Sequence, residues 1–307
     1  MITLHQALAD YLRVRRRLGF ELKAAERQLE QFVAFLEQAG AARITSELAV
    51  TWARLPVDAH PHQWSRRLGV VRGFARYVAT LDPATEVPSI DLLPAHRPRV
   101  APYIYSPGEI TALITAAGQL TPPLRTASYR TVIGVMATTG LRLGETLWLD
   151  RADVDLDDGA LHVRARQNKQ REVPLHPTVT TALREYARQR DRHCPQPSSP
   201  AFFLNLRGER LSNSEFHYRF AKLITQVGLE GAGERTRPRP HDLRHSLAVW
   251  TLLDWIEAGE DVDRRMPELS TFLGHQRPES TYWYLQAVPE LMALISERLQ
   301  RVAEVLS

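Results

Sequence analysis

The stretch YRTVIGVMATTGLRLGE, residues 129–145, passes from an almost wholly apolar segment to a charged one within a few positions. TVIGVMATTG reads as a buried helix that stops at Gly140. Arg142 follows two residues later. An arginine so close to a core must meet a carboxylate or an anion, because an unpaired buried charge is too costly. Glu145, three residues on, can orient it. A purely structural Arg142–Glu145 pair and an anion-binding arginine both remain open at this point.

Two later stretches raise the same question. PHDLRHSLAVWTLLDWIEAG, from Pro240, is a second apolar helix, with Leu243, Leu247, Val249 and Leu252 as core candidates. Its first turns carry His241, Arg244 and His245, and helical spacing turns residues 241, 244 and 245 toward one side. Asp242 falls in the first turn, where the helix dipole favours an anion, and is read as structural. LGHQRPESTYWYL, residues 273–285, then supplies His275, Tyr282 and Tyr284. A tyrosine near a chain end packs as readily as it reacts, so this stretch alone decides nothing.

Taken together, two arginines and two histidines suggest a phosphate in transfer. Guanidinium forks match phosphoryl oxygens, and imidazoles donate hydrogen bonds or move protons near neutral pH. Such a site needs a nucleophile, and a phenol can attack phosphorus and later leave. Other chemistries fit poorly. HDLRH has the spacing of a zinc-binding helix, but Asp242 stands where a glutamate base is expected and Arg244 would repel the cation. The chain contains no G-x-S-x-G, no G-x-x-x-x-G-K-[ST] and no G-x-G-x-x-G. No cofactor or metal is expected.

Composition agrees with contact with a polyanion without demonstrating it. The chain has 307 residues, a formal charge of +4 and a sequence pI near 9.4. Basic runs occur at RVRRR, residues 13–17, and RTRPRP, residues 235–240. Cys194 is the single cysteine, so an intrachain disulfide is impossible. No signal peptide pattern and no membrane-length apolar run is present, which leads us to expect a cytoplasmic protein.

Residues 1–95 read as four or so amphipathic helices with Arg66, Arg67, Arg72 and Arg76 on an outer face. Residues 82–102 are rich in proline, and 96–102 are taken as the linker. Helical patterning resumes over 103–307. Ser106, Pro107 and Glu109 mark a helix start, LHVRARQNKQREVPLH reads as a hairpin, and AFFLNLRGERLSNSEFHYRF as a short strand, a turn and a helix. A further short helix is expected from PELSTFLGH, and PELMALISERLQRVAEVLS reads as an amphipathic tail.

On these residues the chain resembles the tyrosine recombinase, or phage integrase, family over almost its whole length. TGLRLGE matches that family's T-G-L-R-x-x-E segment, HDLRH its H-x-L-R-H box, and LGH its L-G-H box. The family nucleophile lies nine residues after the last histidine, which selects Tyr284 over Tyr282. The resemblance implies Arg142, His241, Arg244, His275 and Tyr284 as catalytic residues. It implies a mainly α fold with a small β component: an N-terminal helical core-binding (SAM-like) domain followed by an α/β catalytic domain. The implied activity is site-specific cutting and rejoining of duplex DNA through a 3′-phosphotyrosyl intermediate. The implied partner is a double-stranded recombination site, with four protomers on DNA and a monomer or dimer off it. A departure occurs in RQNKQREVPL, where Arg166 occupies the position of the family's catalytic lysine and Lys169 matches a second lysine. A DNA-binding protein that does not cleave, and a topoisomerase-like enzyme, are the alternatives.

Overall fold

The computed structural model describes residues 3–94, 102–164, 170–229, 237–275, 277 and 279–287. The chain divides into two compact units, Met1–Arg99 and Val100–Ser307. The protein is mainly helical with one small sheet. Among the described residues no helix is long and apolar enough to cross a membrane.

The first unit contains α1 (Leu4–Arg17), α2 (Lys23–Gln38), α3 (Ser46–Arg54) and α4 (Pro61–Ala79). Each contributes one apolar stripe to a common core built on Leu8, Leu29, Phe32, Trp52, Leu68 and Phe74. Burying such a side chain stabilises the fold by about 1.5–3 kcal/mol. The outer basic face is smaller than the pattern suggested. Arg67 stacks 3.8 Å over the Trp52 ring and donates to the Trp52 carbonyl at 3.2 Å. Arg72 donates to the carbonyls of Pro88 at 2.8 Å and Ser89 at 2.9 Å. Only Arg66 and Arg76 of the four are exposed. In the run at residues 13–17, Arg13 pairs with Asp10 and Arg16 with Glu26.

The second unit opens with α5 (Pro107–Ala117), started by a reciprocal capping box between Ser106 and Glu109. Its central helix, α6 (Pro123–Thr139), begins well before the apolar run and ends where Gly140 turns left-handed at φ 63°. A short α7 (Leu143–Trp148) follows. The expected hairpin is β2 (Ala160–Arg164) against β3 (Gln170–Pro174), with Leu161 opposite Val173, and β1 (Val154–Asp155) extends it to an antiparallel sheet of order β1-β2-β3. The hairpin tip, including Arg166 and Lys169, lies outside the described residues, as do most of the linker and the tail after Ala287.

α8 (Pro177–His193) packs on α6. The strand expected at AFFL is present only as single bridges, Asp150 with Ala201 and Leu204 with Arg210. Phe202 and Phe203 go into the core beside Tyr186 there. Then come α9 (Asn213–Gln226), α10 (Pro240–Glu257), α11 (Val262–Leu273) and α12 (Glu279–Ala287). α11 starts five residues ahead of the expected point, because Asp261 caps it and Pro267 is accommodated inside. The C-terminal helices gather Val249, Leu252, Met266, Leu269, Leu273 and Tyr284 into a core of their own.

Candidate active site

Three chain reversals bring the polar residues together. At the first, Gly140 caps α6 and the backbone turns into α7 with Arg142 at its cap position. The Gly140 turn leaves no room for a side chain, since a Cβ there would come within 2.7 Å of Leu273 Cδ2 and 3.0 Å of Leu247 Cδ2. Arg142 Nη1 donates to Glu145 Oε1 at 2.9 Å, and its backbone N–H donates to Glu145 Oε2 at 3.0 Å. The pairing read from the sequence is therefore formed. It does not consume the arginine, whose side chain remains 42% exposed.

Glu145 has a second partner. Arg171, on β3, donates through Nη1 to Oε1 at 3.2 Å and through Nη2 to Oε2 at 3.0 Å. Burial pushes the Glu145 carboxyl toward its neutral form, but the Arg171 hydrogen bonds, the Arg142 amide and the two guanidinium charges prevail and hold it below its ordinary value. Arg171 also lies flat against the second reversal. Gly274, at φ 68°, ends α11 so tightly under it that a Cβ would fall 2.6 Å from Arg171 Cζ. One side chain thus ties the sheet to the Arg142 turn and to the turn that presents His275. Sequence reasoning did not single it out, although it is the final arginine of the hairpin motif.

The third reversal is the start of α10. Asp242, fully buried, accepts the Arg239 backbone N–H at 2.8 Å and the Arg239 guanidinium at 3.1 Å, which is the structural role read for it. Arg244 is 1% exposed. Its Nη1 donates to the Gly140 carbonyl at 2.7 Å, which joins α10 to the Arg142 turn. Its Nη2 is buried with no hydrogen-bond partner among the described residues. Burial, and then the charge of Arg142, lower its pKa to about 10.

Tyr284 is 1% exposed, whereas Tyr282 is 38% exposed. Tyr284 Oη lies 2.8 Å from Nδ1 of His245, not of His241. His241 is at the mouth of the site, exposed, with its ring edge-on to His245 at 4.6 Å between centroids. His275 stacks near Tyr284 at 6.3 Å between centroids and shares a hydrogen bond of 2.6 Å between its Nδ1 and Thr281 Oγ1. The helical periodicity that brought His241 and Arg244 to notice also pointed to His245. No sequence signal marked Thr281.

The electrostatics are one-sided. Desolvation, followed by the charges of Arg244 and Arg142, lowers His241 to about 4 and His275 to about 3. Desolvation, then His241 and Arg244, lowers His245 to about 3. All three imidazoles are neutral at pH 7. Burial raises the Tyr284 phenol above its ordinary value, against the pull of Arg244. Arg142 and Arg244, the latter with an unsatisfied N–H, place positive charge around the phenol that suits a phosphoryl oxyanion.

The model of the phage integrase family matches residues 106–290. "Putative integrase/recombinase y4rB" of Sinorhizobium fredii is 43% identical over 308 residues, covering 98% of each chain. "Tyrosine recombinase XerC" of Chlamydia trachomatis is 28% identical over 235 residues, 76% of this chain and 69% of that protein. Among solved structures, the Tn1549 transposon integrase in complex with transposon right end DNA superposes with a TM-score of 0.66 at 15% identity, covering 97% of this chain and 99% of that one. A lambda integrase dimer bound to a COC′ core site gives 0.61 at 17% identity over 92% of this chain and 77% of that one. At these identities the structural likeness concerns the fold.

Proposed function

The chain belongs to the phage integrase family, and from that premise we propose that it cuts and rejoins duplex DNA with Tyr284 as the nucleophile. The observation that carries this reading is the burial of Tyr284 close enough to Arg244 for the guanidinium to draw on its phenol, with no well-formed hydrogen bond to Arg244 Nη2 among the described residues. A scissile phosphate would satisfy that N–H.

Arg142 and Arg244 hold the non-bridging oxygens, and His275 donates a hydrogen bond to one of them through its Nε2. His241, at the mouth, assists proton movement. The bond from Tyr284 Oη to phosphorus forms as the bond from phosphorus to the 5′ oxygen breaks. The phenol gives up its proton and the departing 5′ oxygen gains one, so no net proton is consumed. Arg166 stays protonated and can only stabilise charge, so Lys169 is assigned as the donor to the 5′ oxygen. The bond energy is kept in the tyrosyl ester, and a 5′-hydroxyl from a partner strand reverses the step. The partner is a double-stranded recombination site, four protomers act on two such sites, and the protein works in the cytoplasm on the nucleoid.

The test is covalent capture. The protein is incubated with sheared DNA from its source genome, denatured, and the DNA still attached is sequenced; a nicked duplex is then built on the enriched sequence. Attached DNA of one sequence, absent with Tyr284→Phe, is the expected result. Sequence-selective binding without attachment would leave a DNA-binding protein that does not cleave.

A further inference from the structure

His245 touches the nucleophile, yet the cleavage step gives it no task. Its Nδ1 lies 2.8 Å from Tyr284 Oη, the length of a well-formed hydrogen bond. The ring is held from three sides: His241 edge-on at 4.6 Å, Tyr284 at 5.4 Å and Trp283 at 5.9 Å between centroids. It therefore has little freedom to turn another atom toward the phenol.

The direction of this hydrogen bond follows from its neighbours. A guanidinium has donors and no acceptor. Burial raises the Tyr284 phenol, and Arg244 beside it pulls the other way by its charge, so the side of Oη facing Arg244 is the side of its lone pairs. The phenol proton must point elsewhere, and His245 Nδ1 is there to accept it. Residues 244 and 245 are consecutive on α10, so their side chains leave the helix about 100° apart. One grips the phosphate while the other grips the nucleophile.

We propose that His245 is a further catalytic residue, which holds Tyr284 by its hydroxyl proton and so turns an oxygen lone pair toward the phosphate on Arg142 and Arg244. The ring is the neutral Nε2–H tautomer, with a bare Nδ1. Its role is to aim the attacking atom; as the bond to phosphorus forms, the phenol proton crosses this hydrogen bond to Nδ1 and leaves by way of His241 beside it, and removing the ring lets the hydroxyl rotate away. A misplacement of about 1 Å costs on the order of 100-fold in rate. The proposal rests on Tyr284 being the nucleophile.

The test compares the full-length wild-type protein with His245→Ala and His245→Asn. The Asn side-chain oxygen can accept a hydrogen bond near the position of Nδ1; the Ala methyl cannot. On saturating nicked duplex, His245→Ala should form the covalent adduct about 100-fold more slowly, with DNA affinity unchanged. His245→Asn should recover most of the rate. In parallel, the Tyr284 ring-carbon resonance of protein carrying ζ-¹³C tyrosine, assigned by its loss in Tyr284→Phe, should shift in the Ala variant and stay near its wild-type position in the Asn variant. A wild-type rate for His245→Ala, or an Asn variant as slow as Ala, overturns the proposal. If the wild-type protein itself forms no adduct, the reaction fails on its own account. The resonance then judges the hydrogen bond separately, and an unchanged Tyr284 signal in His245→Ala overturns it as well.

Discussion

At the scale of single residues, the site is a set of neutral imidazoles held beside two cationic arginines. His241 sits at about 4, and His245 and His275 at about 3, against about 6.5 for an unfolded histidine. Between those values the unfolded chain binds protons that the native protein refuses. Stability from the half-buried His245 and His275 is complete above about pH 6.5 and is lost as the pH falls toward 3, while the exposed His241 adds little. The urea midpoint should therefore drop from pH 7 to pH 5, and His245→Gln should flatten that slope; a midpoint equal at the two pH values would contradict neutral, half-buried rings at 245 and 275. Most of these residues are legible in the sequence. Tyr284 and Tyr282 can be told apart there only through the nine-residue spacing; in the fold Tyr284 is 1% exposed and Tyr282 38%. His245 is visible as a helical neighbour but not as the partner of Tyr284, because that contact joins residues far apart in sequence. The tip residues Arg166 and Lys169 lie outside the described residues.

At the scale of elements, the helices of the second unit read with little error where an apolar stripe meets a recognisable cap, as in α5 and α10. The misreadings have local causes. Pro267 looks like a helix start and is an interior residue, because Asp261 caps α11 a turn earlier. AFFL looks like a strand, but its phenylalanines go into an aromatic cluster and only isolated bridges remain. Arg67 and Arg72 look like part of a solvated face and instead hold Trp52 and the Pro88–Ser89 backbone. The least legible link is the one made by β3. Arg171 joins it to Glu145, under Arg142, and to Gly274, ahead of His275. Replacing it with alanine leaves a carboxylate with 10% side-chain exposure short of its bidentate partner. Arg171→Ala should cost about 3 kcal/mol of stability and slow adduct formation more than it weakens DNA binding. Denaturant unfolding and single-turnover cleavage would measure the two effects; a variant as stable and as fast as wild type would remove Arg171 from this account.

At the scale of the whole molecule, each compact unit has a core of its own, and the proposed active-site residues all belong to the second. The first unit is proposed to contribute affinity through exposed cations. With Arg67 and Arg72 occupied, Arg66 and Arg76 are left on α4 for that purpose. The double variant Arg66→Ala, Arg76→Ala should bind the duplex more weakly at low salt, with a log affinity against log salt slope shallower by about 0.9 for each phosphate no longer neutralised. An identical slope would place the phosphate-binding cations of the first unit elsewhere. Whether this fold assembles a phosphotyrosyl-forming site is decided by mapping the covalent bond. Wild-type protein trapped on the nicked duplex is digested with protease and nuclease, and the modified peptide is located by mass spectrometry. The expected product is a nucleotide joined through its 3′-phosphate to Tyr284, absent in Tyr284→Phe and retained in Tyr282→Phe. A nucleotide on Tyr282, or on any residue other than Tyr284, would contradict it.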